Sequence, residues 1–164
     1  MNRSSILRLG IAAIALSATA AFAAPPTESA SLTVTAEVVK VCTLALSGDV
    51  EFGQLDVVNG SDLTRTVTAT YQCTKDTAVT SFKVGGVAAA APAKGNFAGS
   101  MASGSNTMAY TIEWTDPGSF TGLGMQPVAA NQKAVDLIAK LPKANYQNAA
   151  PGSYTQTVAV TIDY

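Results

Sequence analysis

Cys42 and Cys73 are the residues of this sequence with the widest chemical repertoire. A thiol pair can form a disulfide, hold a metal or exchange electrons. Histidine is absent. That removes Ser-His-Asp and Cys-His nucleophilic sets and every His-based zinc site. Asp49 and Glu51 stand two apart and could be weighed as a carboxylate pair for glycoside chemistry, but on a short exposed strand they read as a solvated face. Gly122 and Gly124 lack the third glycine and the helix of a dinucleotide fingerprint. Trp114 and Tyr110 could stack on a sugar, yet they keep step with Met108 and Ile112, which marks a core face. The sequence therefore offers no catalytic residue, no metal ligand set and no cofactor site.

The redox setting of the cysteines comes from the first 23 residues. Arg3 and Arg8 give a positive start, Leu9 opens an apolar run to Ala21, and Ala21, Phe22 and Ala23 form a small-x-small cleavage site. The run is short and rich in alanine, so it reads as a secretory signal over residues 1–23 and not as a membrane span. Without it the chain carries 8 Lys and Arg against 11 Asp and Glu, a formal charge of −3. No basic patch invites nucleic acid or anionic lipid. In an exported chain an even cysteine pair reads as a disulfide, Cys42 to Cys73. Closing a loop of about 30 residues, it stabilises the fold by about 3–4 kcal/mol on the chain-entropy model.

The elements that position these residues read as strands. In residues 31–42, Leu32, Val34, Ala36 and Val38 alternate with Ser31, Thr33, Thr35 and Glu37, giving an apolar and a polar edge, and the strand runs on through Leu46. Residues 50–55 form a short strand with Phe52 buried. Asn59 and Gly60 mark a turn. Residues 63–73 form a long strand, with Leu63, Val67, Ala69, Tyr71 and Cys73 on one face and Arg65 as the exception. Residues 79–84 make another strand, whereas 85–104, rich in Gly, Ala and Ser, reads mainly as an exposed loop with a short edge strand near Phe97. Residues 106–116 are a strand through Met108, Tyr110, Ile112 and Trp114. Residues 132–141 fit helix or strand, and the all-β setting favours strand. In residues 153–164, Tyr154, Val158, Val160, Ile162 and Tyr164 face one way, and the chain ends on this strand. About seven short strands with turns between them predict an all-β, immunoglobulin-like antiparallel sandwich. If the first alternating strand is not part of the domain's own sheet, the sandwich is left with an open groove and two unpaired edges.

The order of motifs carries a resemblance. An alternating strand precedes the first cysteine. A Phe52-Gly53 pair follows, then the second cysteine after Tyr71 and Gln72. Met108, Tyr110 and Ile112 come next, and Pro151, Gly152 and Tyr154 open the alternating terminal strand. Taken together this resembles the spore coat U domain, the pilin type of archaic chaperone–usher pili, over essentially the whole mature chain. The resemblance implies an incomplete immunoglobulin-like domain that lacks its final strand. It implies a structural pilus subunit polymerised by donor-strand exchange and supporting surface adhesion or biofilm formation. A periplasmic chaperone, an outer-membrane usher and identical or related pilin subunits would be its partners. The donor residues would be Leu32, Val34, Ala36 and Val38, and the acceptor groove would be edged by Tyr154, Val158, Val160, Ile162 and Tyr164. The expected layout is a signal over 1–23, a donor extension over 24–38 and the pilin domain over 39–164, exported through the periplasm to the cell surface. The alternatives are a self-contained secreted β-sandwich used for binding, and a spore or envelope coat protein.

Overall fold

The computed structural model describes residues 27–89 and 94–164. The signal read over residues 1–23 lies outside the described residues, as do positions 90–93 of the Ala-rich segment. The chain falls into two units divided between Ala36 and Glu37. In the first, residues 27–36 are exposed and carry no regular secondary structure. The expected strand over 31–42 is therefore corrected: strand geometry begins only at Cys42, and residues 27–41 enter no ladder. Alternation gives a segment two faces, but a strand also needs a partner for its backbone N–H and C=O groups.

The second unit is built from strands because β-branched and aromatic residues alternate with polar ones along most of its length. They are β1 (Cys42–Leu46), β2 (Leu63–Cys73), β3 (Ala78–Val79), β4 (Ser81–Val84), β5 (Val87–Ala88), β6 (Lys94–Ser103), β7 (Asn106–Thr115), β8 (Phe120–Thr121), β9 (Lys133–Leu141) and β10 (Val160–Asp163), with one short helix, α1 (Lys143–Tyr146). All pairings are antiparallel. One sheet has the order β1-β2-β9-β7-β6, a second has β10-β4-β5, and β3 pairs with β8. Tyr71 of the first sheet stacks on Phe82 of the second at 6.2 Å between ring centres, and Phe120 meets Tyr71 edge-on at 5.5 Å. Trp114, Tyr110, Leu137 and Val84 join the same buried cluster. The result is the all-β antiparallel sandwich that the alternation predicts.

The periodic strands fall where the sequence places them. The inner face of β2 buries Val67, Ala69, Tyr71 and Cys73, while Arg65 stays exposed. β9 is a strand, buried at Val135, Leu137, Ala139 and Leu141. Cys42 and Cys73 are directly opposed across β1 and β2 and form the disulfide.

Within segment 85–104, residues 94–103 are corrected from loop to strand, since β6 pairs with β7 along its whole length. Its glycines are the reason. Gly95 stands opposite Trp114 and Gly99 opposite Tyr110. A Cβ on either glycine would fall into the facing aromatic ring. The rings lie across the bare backbone of β6, which buries both glycines and lets a sequence of low strand propensity hold a strand. The expected strand over 79–84 is split at Thr80, so that β3 pairs with β8 and β4 with β10. Residues 50–55, expected as a strand with Phe52 buried, form none, and Phe52 is only half-buried. Their backbone has no ladder partner; Arg65 Nε donates to the Glu51 carbonyl at 3.1 Å. The terminal segment is likewise shorter than expected. Thr155 bridges to Ala102 of β6, and the ladder with β4 starts at Val160.

Charges sit at the strand ends. Lys83 and Ser81 hydrogen-bond Asp163, in that order of effect, and hold its carboxyl below the usual range. Lys140 donates to Glu113 at 2.7 Å and lowers that acid likewise. The backbone N–H groups of Asn59 and Val58, each 2.9 Å from Asp56 Oδ1, lower Asp56. Burial, with the charge of Asp116 second, pushes Tyr71 up to about 12.

Two predictions follow from this packing. Gly95→Val drives a side chain into the indole and should destabilise the fold by about 1–3 kcal/mol in urea denaturation. Gly48→Ala, where nothing lies within 4 Å of the new Cβ, should leave the midpoint nearly unchanged. The second concerns pH. The depressed acids stabilise the fold above their unfolded values and lose that contribution as pH falls through the lower folded values. Tyr71, raised, contributes below its unfolded value and loses that contribution as pH rises beyond it. With no histidine, stability should be level from about pH 5 to 9 and fall on both sides. A transition midpoint that moves steeply between pH 6 and 8, scanned by circular dichroism at about one-unit steps, would contradict these assignments.

Candidate functional site: an open groove beside two strand edges

The groove is built where two segments leave their ladders. After β1 the chain turns at Ser47 and Gly48 and runs unpaired through Val50, Phe52, Leu55 and Val57, which form one wall. After α1 it passes Ala149, Pro151 and Tyr154, which form the other. The floor is Met101, Met108, Leu141 and Tyr146. Together they enclose an open groove of about 1100 Å³. It lies at the end of the sandwich where Leu63 pairs with Leu141, away from the Cys42–Cys73 end of β2.

Each wall is held in place by a few bonds. Tyr146 OH donates to the Ser61 carbonyl at 2.8 Å, tying α1 to the turn before β2. Gly60 lies against that hydroxyl and the Asp56 carbonyl, and an added Cβ there would collide with both. Tyr154 OH donates to the Ala150 carbonyl at 2.9 Å, closing the turn through Pro151 and Gly152. The Gln156 side chain accepts the Ser100 N–H at 2.8 Å, and Thr155 exchanges two backbone hydrogen bonds with Ala102. The terminal segment is thus pinned to β6 before it crosses to β4.

Two strands that follow or precede these walls in the chain have an open edge. Among the described residues β1 pairs only with β2, and β10 only with β4. Leu44, Val50, Phe52 and Leu55 on one side, and Tyr154, Val158, Val160 and Ile162 on the other, pack against the core while only partly covered. An edge with unpaired backbone groups beside a half-covered apolar strip is a template for an added strand. No charged cluster stands here that could do acid–base work. Among the described residues no group of three His, Cys, Asp or Glu could hold a metal, and no helix is long and apolar enough to cross a membrane.

The sequence-based site residues are distributed as follows. Tyr154 lines the groove. Val158, Val160 and Ile162 continue from it, half-buried, along the approach to β10 and β10 itself, and Tyr164 is 54% exposed. Leu32, Val34 and Val38 are 88%, 84% and 86% exposed, and Ala36 is exposed as well. Val41 is the first residue tied to the second unit's ladders. Its N–H donates to Thr74 Oγ1 at 3.2 Å, and its carbonyl accepts the Thr74 N–H at 2.9 Å. Sequence reasoning missed the floor. Met101 and Met108 could have been found from the Ser103-Gly104 turn signal between two alternating runs, which makes them a cross-strand pair. Tyr146 stands in a helix too short to show periodicity.

No curated protein and no solved structure matches this chain at a significant level. A family model for the Spore Coat Protein U domain matches residues 28–161. That domain is a structural module of chaperone–usher pilins and of spore-coat-like proteins at the cell surface or outside it, and its family is not a family of enzymes. The match starts ahead of β1 and ends at the second residue of β10, so it spans most of the chain: the protein belongs to the Spore Coat Protein U domain family.

Proposed function

We propose that this protein is a fibre subunit, assembled by insertion of the N-terminal segment of one copy into the groove of another. The observation that carries this reading is the coexistence of a groove with two free edges and an exposed alternating segment that enters no ladder. The donor residues are Leu32, Val34, Ala36 and Val38, and the acceptor wall is the segment from Tyr154 through Val158, Val160 and Ile162 to Tyr164. A strand laid along the β10 edge gains backbone hydrogen bonds, and its alternate side chains fill the apolar strip. Burying Leu32, Val34 and Val38 contributes about 5–9 kcal/mol before ordering costs. The contact joins unlike surfaces and does not close on itself, so it propagates as a fibre.

An open subunit exposes apolar surface and unpaired edges, both routes to aggregation. A periplasmic chaperone that covers the groove before an outer-membrane usher passes the subunit on fits that hazard. The coarser family assignment also fits, since such domains occur in chaperone–usher pilins. The exported fibre would serve surface adhesion or biofilm formation.

The test is Val34→Asp. A carboxylate facing the apolar strip has no partner there, and assembly should fall to below about a tenth of wild type. The denaturation midpoint of the domain itself should not change. High-mass polymers forming from Val34→Asp as readily as from wild type would falsify the donor assignment.

A further inference from the structure

The groove floor contains a reactive pair that strand docking does not by itself require. Met101 and Met108 stand directly opposite each other on β6 and β7, and both line the groove. Met108 is 2% exposed, whereas Met101 is partly open. Met125, also partly open, sits outside the groove in the segment between β8 and β9 and serves as an internal reference. A thioether is a soft two-electron reductant, and its reactivity follows its exposure. The two tyrosines nearest the floor have already committed their hydroxyl protons, Tyr146 to the Ser61 carbonyl and Tyr154 to the Ala150 carbonyl. Neither is left to satisfy a new acceptor.

We propose that Met101 is an oxidation site that gates the groove: a peroxide converts its thioether to the sulfoxide in the open subunit, the sulfoxide keeps out an apolar strand, and an inserted strand shields the sulfur. The inference rests on the reading of the groove as a strand acceptor. The Met101 sulfur attacks one oxygen of hydrogen peroxide and the O–O bond breaks. That oxygen stays on sulfur, which is oxidised by two electrons, and the other leaves as water. The product places a strong acceptor on an apolar floor. Covering it with an apolar strand takes that acceptor out of water, which weakens docking. Enzymes that reduce methionine sulfoxide can reverse the change. Oxidant at the point of assembly would thus stop fibre growth while leaving finished fibres intact.

The experiment treats unassembled subunits and finished fibres with dilute hydrogen peroxide and quantifies sulfoxide at Met101 and Met125 by peptide mass spectrometry. Met101 should oxidise comparably to Met125 in the subunit and at least about tenfold more slowly than Met125 in the fibre. Oxidised subunits should join fibres about ten- to a hundredfold more slowly. Met101→Leu, which conserves volume, should assemble at a rate of its own that peroxide treatment does not change. The proposal is overturned if Met101 in the fibre oxidises as fast as Met125. It is equally overturned if sulfoxide-bearing subunits assemble at the untreated rate, or if Met101→Leu loses assembly on treatment as wild type does. Deleting residues 31–38 separates the two levels. Undiminished assembly of that deletion would remove the acceptor reading itself. Normal assembly of oxidised subunits through an intact 31–38 segment would remove only the oxidation gate.

Discussion

Everything in this domain turns on backbone groups that have no partner. Where β6 meets β7 the ladder is complete, and there even the low-propensity glycines are used, as seats for Trp114 and Tyr110. Elsewhere β1 and β10 each keep one edge unpaired among the described residues, and the segment from Val50 to Leu55 has no ladder at all. A stable domain rarely leaves an apolar strip and two strand edges uncovered together. The cost is tolerable when something else is meant to lie there. The Arg65 bond to the Glu51 carbonyl and the Gln156 bond to Ser100 hold the margins of the opening rather than close it.

The absence of histidine has a structural counterpart. The two tyrosines at the groove are engaged in shaping it, Tyr146 and Tyr154 giving their hydroxyls to backbone carbonyls. The floor itself is apolar, with Met101 and Met108 side by side. Such a surface recognises a strand by shape and alternation, and methionine can adapt to small differences between incoming side chains. The same softness makes the floor chemically vulnerable, so packing and redox sensitivity come from one residue type.

Much of this was legible in the sequence, and the limits have physical causes. Strands with strict alternation, such as β2 and β7, could be placed because one buried face fixes the period. The disulfide followed from export and an even cysteine count. Segment 85–104 was misread because its strand is held by aromatic rings on the neighbouring strand, and the glycines give no sign of that on their own. Residues 50–55 show the opposite error, and residues 31–41 stand outside any ladder. Their side chains have strand character, but pairing is a property of two segments, and within the described chain the second is missing. The groove floor was hidden because Met101, Met108 and Tyr146 are gathered from three elements distant in sequence.

The central claim is that Val34 of one copy comes to lie against the groove of another. The most direct measurement is solid-state NMR on fibres grown from an equal mixture of two differently isotope-labelled populations, one labelled at valine methyls and the other at aromatic rings. A contact between the Val34 methyls and the ring of Phe52 or Tyr154 across the two populations is the predicted result. Fibres in which Val34 shows no contact with those rings, or contacts them only within a single chain, would contradict it.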